Sequence, residues 1–290
     1  MNKLFIFFLQ VLFTTPLFAQ SLKPYQIYSK EGKKVEFKKM LKAAGNAEVV
    51  LFGEQHNSAI AHWLQIELTK GLAQKTSLVL GAEMLEADNQ TTLNKYLAGE
   101  ITKKGLDTTA RLWPNFKTDY KPLVDFAKEK KYPFIATNIP RRYASKVFKY
   151  GFETLDSLSA LEKSWIAPLP ILYDSSLPAY VKMLEMGESS GNSGANKKER
   201  FPMAQAVKDA TMGYFIHKNL QPNTIFVHYN GAYHSDNFEA IGWYLKKQNT
   251  NTKIITISTV VQANVSGLEK DNEAKADFII VVDEDVTTTY

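Results

Sequence analysis

Two histidines occupy the same place in the same short pattern, which makes them the first candidates for chemistry in this chain. Gly53-Glu54-Gln55-His56 follows the apolar run 48–52, and Gly231-Ala232-Tyr233-His234 follows the run 224–230. A third run, 77–82, ends on Glu83, and a fourth, 132–137, ends on Asn138 just ahead of Pro140-Arg141-Arg142. Imidazole and carboxylate both aim lone pairs at a point. His56, Glu83 and His234, arriving from three strand ends, are therefore candidate ligands for a divalent metal. Glu54 beside them is the candidate general base toward a bound water. Arg141 carries a forked donor suited to carboxylate or phosphate. His228 lies inside a strand, placed to orient a ligand from behind, whereas His62 and His217 lie in helical stretches and read as packing. A Gly just past each strand lets the backbone turn sharply and brings the His ring back over the strand end.

The elements that must position these residues follow from the pattern around them. Short runs rich in β-branched and aromatic residues, bounded by Gly and polar residues, read as buried strands with helices between them. That alternation predicts an α/β fold with a mostly parallel β-sheet flanked by helices, in which ligands sit outside the carboxyl ends of the strands. Further strands are expected over 253–259 and 277–282. Helices are expected from Asn57 or Ser58 to Lys70 with Gly71 closing, over 88–97 ending at Gly99, over 120–131, and from Pro140 to Gly151. From about 152 to 221 the strand signal disappears. Helical pieces around 155–165, 177–186 and 201–220, with a polar loop over 187–199, form a smaller helical subdomain inserted before the second Gly-x-x-His. Met183, Met186, Met203 and Met212 lie in it and read as core filling.

Residues 1–19 read as a signal peptide, with Lys3 ahead of an apolar core from Leu4 to Phe13 and cleavage near Ala19. About 10 apolar residues fall short of the roughly 20 that span a bilayer. No Cys follows that core, which argues against a lipid-modified amino terminus, so residues 20–290 are expected as an exported domain in the periplasm or at the cell surface. The chain has no cysteine at all, which excludes disulfides, thiolate zinc sites, iron–sulfur clusters and covalent c-type haem. A net charge of +5, with both signs interspersed, describes a solvated surface and no nucleic-acid partner.

The chain resembles the ChaN-like haem-binding uptake family of the wider Tiki and erythromycin-esterase-like superfamily. The resemblance rests on Leu51-Phe52-Gly53-Glu54-Gln55-His56, Gly81-Ala82-Glu83-Met84 and Thr137-Asn138-Ile139-Pro140-Arg141-Arg142. It continues through Asp209-Ala210-Thr211-Met212 and Gly231-Ala232-Tyr233-His234-Ser235-Asp236, and spans roughly residues 49–245. It implies haem as cofactor, a role in haem or iron uptake with an outer-membrane partner, tyrosine ligation of the iron, and a homodimer around the haem. Under that implication Tyr143, Tyr233, Arg141 and Asn138 are the cofactor-binding candidates. The superfamily also holds metal-dependent hydrolases with Gly-x-x-His pairs and a Glu, so the alternative is a hydrolase using His56, His234, Glu83 and Glu54.

Overall fold

The computed structural model describes residues 22–189 and 195–290. Eight strands form one sheet: β1 (Tyr25–Ser29), β2 (Lys34–Val35), β3 (Val49–Glu54), β4 (Ser77–Glu86), β5 (Phe134–Asn138), β6 (Thr224–Gly231), β7 (Ile254–Gln262) and β8 (Phe278–Asp283). Their order is β2-β1-β8-β7-β3-β6-β4-β5. All neighbours are parallel except β1, which runs antiparallel to both β2 and β8. Parallel neighbours need long crossovers. Helices supply them: α1 (Phe37–Ala44), α2 (Ala59–Ala73), α3 (Gln90–Leu97), α4 (Lys103–Thr109), α5 (Lys121–Lys130), α6 (Arg141–Tyr150), α7 (Ala160–Lys163), α8 (Pro178–Ser189), α9 (Ala195–Lys218) and α10 (Ile241–Gln248).

Both faces of the sheet are covered, which is why its strands are continuous apolar runs and not alternating ones. In β3, Val50 and Phe52 face the cluster that holds Leu64, Leu68 and Leu72 of α2. Val49 and Leu51 face Met212 and Ile216 of α9 and Ile241 and Leu245 of α10. The six expected strands are all present, and the described residues between 152 and 221 contribute helices and loops but no strand.

Two local expectations are corrected, and the first three elements went unread. Gly71 does not close α2 but lies inside it, where a Cβ would stand 2.8 Å from the Leu41 side chain, so it marks close packing of α1 on α2. The hairpin β1–β2 and the Lys-rich α1 had too little apolar signal to be read. The polar loop expected over 187–199 is narrower, because α8 runs to Ser189 and α9 starts at Ala195; its remainder, like the signal peptide over 1–19, lies outside the described residues. Among the described residues no helix is long and apolar enough to cross a membrane.

Candidate functional site

The carboxyl ends of β3, β4, β5 and β6 bring the predicted residues together. Glu54 is the last residue of β3, Asn138 the last of β5 and Gly231 the last of β6. Glu83 lies in β4 within a register shift between Ala82 and Glu86, and such an irregularity re-aims a side chain out of the pleat. His234 ends a short 3₁₀ turn after β6.

The glycines of the two motifs do a different job from the one expected. Gly231 has an ordinary φ of −56°, and Gly53 is not in the left-handed region either. What each needs is space. A Cβ on Gly53 would stand 2.8 Å from Cα of Ala232, and one on Gly231 would stand 2.8 Å from Nε2 of His56. Each motif's glycine thus admits the other motif, and the two are packed as one unit.

His56 is held from behind. Its Nδ1 lies 2.9 Å from Oε1 of Glu54, and its ring meets Trp113 edge-on at 4.9 Å. Glu54 is buried and also accepts from Tyr120 Oη at 2.6 Å and Gln65 Nε2 at 2.5 Å. Its oxygens are therefore spent, and it does not line the cavity into which His56 faces. Glu54, predicted as the base, instead orients His56. His62, expected to be simple packing, belongs to the same network: its Nε2 lies 3.0 Å from the His56 carbonyl oxygen and 3.4 Å from Asp119.

His234 is clamped between two carboxylates, with Nδ1 2.5 Å from Asp209 and Nε2 3.2 Å from Glu83. Glu83 also accepts from the Gly231 N–H at 2.8 Å, and Asp209 from Tyr180 Oη at 2.9 Å. Burial opposes charge on His234, but the Glu83 and Asp209 carboxylates outweigh it and push the pKa up to about 10. Burial likewise opposes ionised Glu83, yet His234, His56 and the Gly231 N–H hold it well below the usual carboxylate range. For Asp209 burial wins, and its pKa is raised. His228, buried with Nε2 2.7 Å from Thr137 Oγ1 and Nδ1 3.0 Å from Asn230 Oδ1, is pushed down to about 4 by that burial and is neutral. Asn230 in turn donates to Ser235 Oγ at 2.9 Å, so His228 supports the turn that carries His234.

The His234 clamp has a consequence for pH. A histidine whose folded pKa is raised adds stability that is fully present below its unfolded value near 6.5, declines above it, and is gone above about 10. At pH 8 the His234 ring should show the nitrogen NMR signature of an imidazolium. A neutral ring at that pH would mean the clamp does not hold.

A cavity of about 360 Å³ opens over His56, Glu83 and His234, walled by Trp113, Asn138 and Arg141, and by Gln205 and Lys208 of α9. The structure therefore unites His56, Glu83, His234, Asn138 and Arg141. Tyr143 and Tyr233 lie outside the cavity. The Tyr143 hydroxyl donates to Glu162 at 2.9 Å, and that of Tyr233 to the Ala179 carbonyl oxygen at 2.8 Å. Burial raises both phenols, Tyr233 to about 12. Arg142 pairs with Asp88 at 2.6 Å, away from the cavity. The residues sequence reasoning missed as site members are Asp209, Gln205 and Lys208, which share one face of α9 at helical spacing. A lone Asp among Ala206, Val207, Ala210 and Met212 was the signal that could have found it.

As a metal centre the trio lacks a ready donor set. Both nitrogens of His234 face carboxylates, and among the described residues no group of three or more His, Asp or Glu converges as ligands for one ion.

Fold and site together define an α/β protein with a histidine–carboxylate cleft at the carboxyl edge of a parallel sheet. Residues 40–245 match the family of haem-binding uptake proteins, ChaN, of the Tiki superfamily, and the chain belongs to that family. The fold is similar to that of ChaN of Campylobacter jejuni, solved with cofacially bound haem, at 17% identity and a TM-score of 0.67, over 89% of this chain and 96% of that one. More distant likenesses are the type III effector HopBA1, at 14% identity and 0.48 over 85% and 93% of the two chains, and an erythromycin esterase mutant in its open conformation, at 11% and 0.45 over 89% and 83%. No curated protein matches the chain.

Proposed function

We propose that this protein binds haem and acts in haem or iron uptake outside the cytoplasm, exchanging haem with an outer-membrane uptake partner. Membership of the haem-binding family over residues 40–245 carries the reading. The surface next to the cavity suits the ligand. A shallow groove of about 230 Å³ between α6 and α9 is lined by Ala144, Phe148, Phe201 and Ala204, with Arg141 and Lys208 at its polar end. The Phe148 and Phe201 rings meet edge to face at 6.5 Å. Apolar and aromatic side chains suit a porphyrin face, and the two cations suit its propionates. A groove this shallow covers one face of a flat ligand, and a second copy of the chain would cover the other. Ligation by Tyr143 or Tyr233 requires the phenol to leave its present acceptor, a change that the ferric ion favours because phenolate is a hard ligand.

Titration with ferric haem should give a saturable Soret shift of the oxygen-ligated type, altered in Tyr143→Phe or Tyr233→Phe, with dimer formation read by light scattering in the same samples. Binding no tighter than to an unrelated protein sinks the proposal. A second reading, a hydrolase, is favoured by one observation: Glu54 holds Nδ1 of His56, which lines the cavity, and its Nε2 has no hydrogen-bond partner among the described residues. Burial opposes the His56 cation, but Glu54 and Glu83 outweigh it and raise its pKa. Proton abstraction from water by His56 would therefore strengthen as the pH rises.

A further inference from the structure

The cavity holds binding groups that neither a haem ring nor an acid–base pair uses. Asn138 is only 8% exposed. Its Nδ2 donates to the Glu83 backbone oxygen at 3.0 Å, which fixes the amide, and its Oδ1 has no partner among the described residues. Gln205 Oε1, from α9 and lining the same cavity, is likewise buried and unpartnered among the described residues. Both atoms only accept, and buried acceptors are costly until a donor reaches them. A ligand that displaces water from these atoms meets them best with O–H or N–H groups.

The ligand's charge should be negative. Arg141 and Lys208 line the same cavity and have no carboxylate within ion-pair distance among the described residues. Arg142, by contrast, is spent on Asp88. Glu83 and Glu86 also line the cavity, but each already has a cation, His234 at 3.2 Å and Arg111 at 3.0 Å, so Arg141 and Lys208 alone are left for the ligand's charge. At about 360 Å³ the space lies at the small end of ligand cavities.

We propose that this cavity is a site for a small hydroxylated monocarboxylate, of the sugar-acid class. Its carboxylate rests on Arg141 and Lys208, and its hydroxyls donate to Asn138 Oδ1 and Gln205 Oε1. The inference rests on the cavity's own groups and holds whether or not the neighbouring groove takes haem or His56 turns over a bond. Because Arg141 and Lys208 also border that groove, the haem-free protein is the one to titrate.

The test is calorimetric titration of the full chain with D-gluconate, with hexanoate (the six-carbon acid without hydroxyls) and with inorganic phosphate. Gluconate should bind saturably. Hexanoate should bind about tenfold more weakly or worse, the weight of one good hydrogen bond, and phosphate no better than hexanoate. Asn138→Leu should reduce the preference for gluconate to the share that Gln205 supplies, with hexanoate binding little changed, and Arg141→Met should weaken both acids. Gln205→Leu, on a helix and away from the sheet, repeats the amide test if Asn138→Leu does not fold. Three outcomes overturn the proposal: no saturable gluconate binding, hexanoate binding as tightly as gluconate, or a preference that survives both amide substitutions.

Discussion

Replacing Asp209 with Ala should cost about 1–3 kcal/mol of stability at pH 7, the penalty for leaving buried polar groups short of a partner. The cost is no larger because Glu83 stays on His234 and burial already opposes the Asp209 charge. Asp209 is 1% exposed, and its two oxygens take the His234 Nδ1 and the Tyr180 hydroxyl. Removing it leaves an imidazolium with one carboxylate in place of two, and a buried phenol with no acceptor. Tyr180→Phe removes only the second contact and should cost about 1 kcal/mol. The difference between the two variants isolates the histidine. Because the His234 charge is lost as the pH rises through about 10, the Asp209→Ala penalty should shrink on going from pH 7 to pH 10. Urea unfolding of both variants at both pH values is the measurement. An Asp209→Ala loss below about 1 kcal/mol at pH 7, no more than an ordinary hydrogen bond, would show that His234 is not held as a cation.

The parts of this protein legible in its sequence are those set by local pattern. Buried parallel strands write themselves as continuous apolar runs, and six of the eight strands, with the residues at their carboxyl ends, could be placed from that alone. That His56, Glu83, His234, Asn138 and Arg141 lie around one cavity was legible because strand ends in a parallel sheet share one edge. Asp209, Gln205 and Lys208 were not, because they reach the site from a helix whose packing side depends on long-range contacts that no local period encodes. Tyr120 and Gln65 escaped for the same reason: each looks like an ordinary helical or loop residue until Glu54 is seen to need its donor, and His62 until its Nε2 is seen against the His56 carbonyl oxygen. Tyr143 and Tyr233 lie near the right motifs in sequence, but their hydroxyls are directed to Glu162 and Ala179. Adjacency along the chain does not fix which way a side chain points.

The two motif glycines should respond in opposite ways to the same change. In Gly53→Ala the new methyl meets backbone on two sides, Cα of Ala232 at 2.8 Å and the Ile257 carbonyl oxygen at 3.0 Å. Neither can swing aside without moving β7 or the turn that carries His234. The expected cost is about 1–3 kcal/mol, the usual range for overpacking a close-packed interior and here toward its upper end, with a displaced His234 whose pKa falls from its raised value. In Gly231→Ala the methyl meets Nε2 and Cε1 of His56, at 2.8 and 3.0 Å. Those atoms are the far end of a partly exposed side chain that can rotate. Stability should change by less than about 1 kcal/mol, as for a substitution that the neighbour can accommodate. The His56 ring, however, would leave Glu54 and Glu83, and its raised pKa would drop toward that of a solvated imidazole. Urea unfolding together with NMR titration of both rings separates the cases. The reciprocal packing predicts a destabilised protein with a disturbed His234 from the first variant, and a stable protein with a disturbed His56 from the second. If Gly53→Ala keeps wild-type stability and both rings titrate normally in both variants, the motifs are independent turns and the site is not the single packed unit described.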